Sequence, residues 1–347
     1  MSGFQGGYTH ASWFYTSKIL YDIDSYDFTS SYPFCLVSER YPSTEFKKCK
    51  IKKASDMISR FAYLLVVRFK NIKSKYYNNF ISYSKCRYIK NGRYDNGRVV
   101  SADELEIVLT DVDFKVLLKA YTGTYEIIES YYSLYKYLPK KFIDFILEKY
   151  VIKTKLKNVE GKEVNYQLAK NSFNSLYGMC VTNEIKDEAI YEKGEWRTRK
   201  LDNVEILTKL TNEKSKGFLS FSWGVWCTAY ARRNLILNII ALDNYELYAD
   251  TDSIKLVKGY DLNVIKSYND RVIEKLKQVS KDLNIPFSKF APKDIKGNEH
   301  CLGLFEKEYT SKENKEHTYK EFKTEGAKKY AYKTMDDKIK ITVSRCT

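Results

Sequence analysis

Residues 245–257 read Tyr-Glu-Leu-Tyr-Ala-Asp-Thr-Asp-Ser-Ile-Lys-Leu-Val, and this segment constrains the fold most. Leu247 and Ala249 lead into a polar tip, and Ile254 and Leu256 lead out of it. That pattern predicts a β-hairpin held rigidly at a sheet edge. Asp250 and Asp252 are two apart, so an extended backbone would point both to one side. Two carboxylates on one side repel unless a cation neutralises them. Asp-x-Asp alone is an ordinary acidic turn; the apolar flanks set this one apart.

A second acidic stretch, Asp-Ile-Asp-Ser-Tyr-Asp-Phe-Thr-Ser-Ser-Tyr-Pro, spans residues 22–33. It reads as a strand running into a turn. Asp22, Asp24 and Asp27 fall within six residues of a chain whose net charge is +15. Farther on, residues 165–178 predict a helix closed by Gly178. At 3.6 residues per turn, Lys170, Asn174 and Tyr177 share one face, and Ala169, Phe173 and Leu176 share a neighbouring face suited to a core. The first face offers a cation, an amide and an aromatic plane. A nucleoside triphosphate needs all three, although such a face on a lone helix is more often simply solvated.

Between these elements, residues 37–138 mix strand-like runs with one helix near Asp111–Tyr121. Pro139 opens another helix. Residues 181–217 form a polar, charged stretch without evident periodicity. The segment from Trp223 to Leu242 predicts a long amphipathic helix, 266–283 predict another, and the tail alternates as strands. The fold class is therefore α/β in the α+β sense, an antiparallel sheet with packed helices. Lys and Arg number 59 against 44 acidic residues, which favours a polyanionic partner. Abundant Lys, Asn, Ile and Tyr, as in an AT-rich genome, supply part of that charge. Seven cysteines show no Cys-x-x-Cys spacing and only three histidines occur, which argues against zinc and for reduced thiols in the cytoplasm. The first residues lack a secretory apolar core, and the longest apolar runs are too short for a bilayer, so no membrane association is expected.

Three elements in this order resemble the polymerase motifs of family B DNA polymerases: Asp-x-x-Ser-x-Tyr-Pro (Asp27, Ser30, Tyr32, Pro33), Lys-x-x-x-Asn-Ser-x-Tyr-Gly (170–178) and Tyr-x-Asp-Thr-Asp-Ser (248–253). Further residues are similar to the protein-primed branch of phages and linear plasmids. Phe4-Gln5-Gly6-Gly7 stands where that branch has Tyr-x-Gly-Gly, Thr228–Arg232 matches Thr-x-x-Ala-Arg, and Lys328 with Tyr330 matches Lys-x-Tyr.

The resemblance implies a palm with a two-helix fingers insertion, and two Mg²⁺ ions that Mn²⁺ can replace, held by Asp27, Asp252 and the Phe28 carbonyl. Asp250 and Lys170 join Asp27 and Asp252 as catalytic residues. Tyr32, Lys153 (ahead of Lys155), Lys170, Asn174 and Tyr177 would bind the deoxynucleotide, with Tyr32 as the steric gate. Phe4, Gly6, Gly7, Thr228, Arg232, Thr251, Lys328 and Tyr330 would hold template-primer DNA. Asp22 and Asp24 are left as structural or solvated. Residues 1–36 and 218–347 correspond to a palm, 37–138 to an insertion contacting a terminal protein, 139–180 to fingers and 181–217 to a strand-displacement loop. The family's exonuclease domain has no room before Asp27, and its thumb is absent or truncated, which leaves a place for separately encoded pieces. Tyr166 stands near the place of an additional family lysine, and 259–303 lengthen the usual spacing. A polymerase using ribonucleotides is disfavoured by Tyr32 and by the Asp-Thr-Asp-Ser hairpin. A non-catalytic DNA- or protein-binding fragment that needs a partner chain is the remaining alternative.

Overall fold

The computed structural model describes residues 3–157, 159–181, 188–214 and 219–343. Its organising element is the strand Leu20–Phe28, in which Ile23, Tyr26 and Phe28 are buried. On one edge it pairs antiparallel with Ser253–Leu256, placing Ser253 opposite Asp27. On the other it pairs with Phe305–Lys307 and with Tyr319–Gly326. Glu246–Asp250 and Thr9–Ala11 extend the sheet beyond the hairpin, and Lys329–Thr334 and Ile339–Val343 extend it the other way. The Phe28 ring stacks on Phe305 at 4.3 Å between centroids, with Tyr268 5.2 Å away. Full burial of such a side chain contributes about 1.5–3 kcal/mol.

A second antiparallel sheet comes from residues 41–136. Its long strands Phe61–Ser74, Arg98–Thr110 and Tyr121–Lys136 carry the short Tyr41–Pro42, Lys47–Cys49, Cys86–Lys90 and Arg93–Asp95. The predicted helix of this region is present as Asp111–Ala120, with the Thr110 hydroxyl accepting from the Asp113 N–H as N-cap.

Among the described residues there are seven α-helices: α1 (Ser31–Ser38), α2 (Asp111–Ala120), α3 (Lys140–Leu156), α4 (Glu163–Cys180), α5 (Asn203–Lys214), α6 (Phe221–Leu242) and α7 (Leu262–Leu283). α6 departs from the amphipathic reading. It touches strands of both sheets and packs on α1, α2, α4 and α7, so most of its circumference is buried. A helix apolar nearly all round belongs in the interior. α4 runs two residues past Gly178, which is an interior helical residue and not its cap. The stretch 181–217 is more ordered than its composition suggested: Glu188–Glu192 pairs with Glu195–Arg199, and α5 follows. Its elements face solvent and are tied by Arg199 to Glu188 and Glu205, so no apolar period marks them. Residues 182–187 and 215–218, and the Phe173 side chain expected in the core, lie outside the described residues. Among the described residues no helix is long and apolar enough to cross a membrane.

Arg232 joins three parts of the chain. From α6 its guanidinium grips both Asp113 carboxylate oxygens on α2, at 3.0 and 2.8 Å, and donates to the carbonyls of Gln5 and Gly6. The pair is almost fully buried. Removing one partner from such a pair costs about 3–5 kcal/mol, because the other charge is stranded.

Glu246, at the base of the 246–256 hairpin, is buried without a well-formed hydrogen bond. Burial pushes its carboxyl up to about 8, and the nearby Asn78 amide offsets this only in part. The folded state therefore holds this proton more tightly than the unfolded chain. The stability this contributes is complete below about pH 4.5 and is lost as pH rises through 8. Relative to Glu246→Gln, the wild type should lose up to about 1.4 kcal/mol per pH unit across that window. Urea unfolding of both proteins at pH 5, 6.5 and 8 checks this; parallel curves would remove Glu246 from the account.

Candidate active site

A cavity of about 700 Å³ opens where the Leu20–Phe28 strand and the 250–253 turn meet α1, α3 and α4. Asp27 and Asp252 line one part of it, and Lys153, Lys157, Lys170, Asn174, Tyr32 and Tyr177 line the rest. The three separated motifs thus share one cleft.

Strand register creates the acidic end. Asp27 closes the Leu20–Phe28 strand opposite Ser253, and the Phe28 N–H donates to the Asp252 carbonyl at 2.8 Å. Thr251 adopts a left-handed φ of 57°, so the hairpin turns in two residues. That turn corrects the expectation that Asp250 and Asp252 face one side together. Asp250 accepts from the hydroxyls of Thr9 (2.9 Å) and Thr251 (3.0 Å), while Asp252 joins Asp27 in the cleft.

Among the described residues, neither Asp27 nor Asp252 makes an ion pair. Burial first, then the Asp252 charge, raises the Asp27 carboxyl to about 8. Burial and Asp250 raise Asp252 to about 6. Lys255 is the buried cation beside them, its ammonium donating to Ser253 Oγ at 2.7 Å. It faces Glu308, Asp27, Asp250 and Asp252, so carboxylates outnumber it. Oxygen donors with uncompensated negative charge fit a hard divalent cation such as Mg²⁺.

The opposite end is basic. Lys153 donates to Ser30 Oγ at 2.9 Å, and burial plus the charges of Lys157 and Lys170 pull its ammonium down to about 8. Lys157 was missed in the sequence; it caps the end of α3, four residues after Lys153, whereas Lys155 lies outside the cleft. Between the two ends, the Tyr32 ring of α1 stacks on Tyr177 of α4, with centroids 4.2 Å apart and planes 17° apart. Glu306 and Glu308 were also missed. Their alternation on a strand reaching Asp27 carried a signal, but the partner strand was not evident without the register. Of the other two early aspartates, Asp24 is buried against Lys307, His317 and Tyr260, and Asp22 is largely exposed.

A profile of the family described as DNA polymerase type B, organellar and viral, matches residues 3–271. The chain belongs to that family. It is 27% identical over 270 residues to the DNA polymerase of Bacillus phage Nf, covering 77% of this chain and 44% of the phage protein. The DNA polymerase of Bacillus phage B103 matches over the same extent at 26% identity. Solved structures of Phi29 DNA polymerase share the fold, with TM-scores of 0.65 and 0.68 at 22% and 20% identity. They cover all of this chain and 54% of their own. This type B chain thus spans about half the length of the relatives it matches.

Two residues expected on DNA are placed elsewhere. Thr228 is fully buried, its hydroxyl donating to the helix carbonyls of Gly224 and Val225. Arg232 is committed to Asp113 and to the amino-terminal carbonyls, so its guanidinium cannot also reach a phosphate. Both lie on the interior helix α6, which a motif read along one line does not reveal. Phe4 packs 6.0 Å from Phe221. A Cβ on Gly7 would come within 2.8 Å of Thr251 Oγ1, and the Thr251 N–H donates to the neighbouring Tyr8 carbonyl at 2.7 Å. Gly6 is exposed beside them. Lys328 has an exposed side chain, a positive φ and an N–H bound to the Tyr248 hydroxyl; Tyr330 packs against Tyr248 and Phe322.

Asp27→Asn should relieve the like-charge repulsion and raise the stability of the metal-free protein by about 1 kcal/mol. Millimolar Mg²⁺ should raise the melting temperature of the wild type, and the variant should lose that rise. Thermal unfolding in EDTA and in Mg²⁺ measures both. An undiminished Mg²⁺ shift in the variant would place the cation elsewhere.

Proposed function

We propose that this chain is the catalytic core of a template-directed DNA polymerase that adds deoxynucleotides to a primer 3′-hydroxyl or to a hydroxyl of a terminal protein. The observation that carries the reading is the shared cleft, with paired buried carboxylates at one end and clustered lysines at the other. The titles of the Phi29 structures describe primer-template DNA and incoming nucleotides bound to that protein, in keeping with this reading.

Asp27 and Asp252, with the Phe28 carbonyl, would hold the divalent ions. Bound there, two Mg²⁺ (or Mn²⁺) ions supply Lewis-acid activation of the attacking hydroxyl and charge compensation for the leaving pyrophosphate. Lys153, Lys157 and Lys170 bind the triphosphate, whose charge relieves their mutual repulsion. Lys170, exposed on α4, neutralises pyrophosphate as it departs. Asn174 lines the same path. Tyr177 offers a stacking plane to the nascent base pair, and Tyr32 fills the space a ribose 2′-hydroxyl would need. Gly6, Gly7, Thr251, Lys328 and Tyr330 lie toward the DNA, where backbone contacts position without reading sequence. Thr228 and Arg232 act one layer behind, holding α6 and the segment that braces the hairpin.

On this reading residues 139–180 are fingers, the second sheet within 37–138 contacts a terminal protein, and 181–217 serve strand displacement. The remaining half of the relatives' length corresponds to parts that this core would meet in cis or as partner chains. In a phage setting the place of action is the host cytoplasm.

Asp252→Ala should lower nucleotide addition on a primed template by about 10³-fold, equivalent to about 4 kcal/mol in the transition state, with duplex binding retained. Single-turnover extension and a gel-shift assay separate these effects; near wild-type extension would overturn the site. Tyr32→Val should raise ribonucleotide use relative to deoxynucleotide use while sparing the latter. An unchanged ratio of the two kcat/KM values would place the gate at another residue.

A further inference from the structure

A second cavity, about 710 Å³, shares no lining residue with the catalytic cleft. It lies between α2, α6 and α7, closed by the segments around Glu39 and Tyr137. On its floor the buried Glu39 carboxylate accepts from both Arg233, at 2.6 Å, and Lys275. One anion therefore serves two partly buried cations. Burial pulls the Lys275 ammonium below its usual range, and Glu39 only partly restores it. At the rim, Lys115 and Lys119 stand one turn apart on α2, both exposed and, among the described residues, without an ion pair. Arg40 sits over the Tyr137 ring at 5.2 Å. Five cationic side chains thus line a concave space that holds only two carboxylates, Glu39 and Asp111. The Asp111 carboxylate is already bound to the Tyr135 hydroxyl and the Trp226 N–H.

We infer that this cavity is a second oligophosphate-binding site, taking pyrophosphate or the triphosphate of a nucleotide independently of the catalytic cleft. A ligand must add several negative charges to satisfy cations that one carboxylate leaves in excess. Oligophosphate does so within a small volume and suits both the fork of Arg233 and the point charges of the lysines. The volume lies in the range of small-molecule sites, and the tyrosine wall offers a surface for a base. A monoanion would meet the repulsion of Glu39 with too little charge in return.

The test uses the full chain in EDTA with the cleft weakened by Lys157→Ala and Lys170→Ala. Isothermal titration with inorganic pyrophosphate should still show one equivalent bound. Adding Lys115→Glu and Lys119→Glu should weaken that binding at least tenfold, with far-UV circular dichroism unchanged. Adding Lys338→Glu and Lys340→Glu, an equal change of charge on a distant exposed strand, should leave it intact. Tighter binding of a non-hydrolysable deoxynucleoside triphosphate than of pyrophosphate would identify the ligand as a nucleotide; the reverse order would identify free pyrophosphate. No binding in the cleft-weakened protein, or equal losses from both charge reversals, would overturn the inference.

Discussion

Everything at the acidic end of the cleft depends on one strand pairing. Leu20–Phe28 and Ser253–Leu256 lie more than two hundred residues apart in the chain, and their antiparallel register sets Ser253 against Asp27. A one-residue slip would turn Asp27 to the opposite face and bury other groups in its place. The register is fixed from both sides. Ile254 and Leu256 are fully buried, and Phe305 opposes Phe28 on the other edge. The energy that brings two repelling carboxylates together comes from apolar burial around them.

A contact of such long range forms only after the intervening chain has closed a large loop, which is costly in entropy. The interior helix α6 shows how the fold meets that cost. Trp226 ties it to Asp111 of α2 and Tyr135 of the second sheet, Arg232 to Asp113 and the amino-terminal segment, and Tyr230 to the carbonyl of Arg40. The second sheet is therefore built into the same core as the sheet around Leu20–Phe28. Damage to the Asp113–Arg232 pair would reach the hairpin through Gly6, Gly7 and Tyr8, although none of these groups faces the cleft.

The sequence made the Asp27 strand, the hairpin and the helices α3 and α4 legible because each carries a period or a motif on its own residues. Tyr32, Lys170, Asn174 and Tyr177 could be grouped from helical spacing and family pattern before any coordinates. Glu308 and Lys255 could not, because their part in the site depends on which strands become neighbours, and local pattern holds no record of that. Arg232 and Thr228 misled for the opposite reason. Their motif suggested a surface, yet α6 is enclosed, and a buried guanidinium satisfies itself within the protein. The hairpin and helix between 188 and 214 escaped notice because solvent surrounds them, leaving charge pairs as their main signature.

The stacked rings of Tyr32 and Tyr177 come from two helices far apart in the sequence, α1 and α4. An offset aromatic pair contributes only about 0.5–1.5 kcal/mol beyond its buried area. It behaves as a weak clasp between the two side chains across the cleft. On the proposed function, the charge-assisted contacts of a triphosphate with three lysines would outweigh that increment. α4 itself is seated more firmly, with Ala169, Leu176 and Cys180 buried and the helix packed on α1, α3 and α6, so parting the rings would free the Tyr177 side chain without disturbing the buried strands behind the carboxylates.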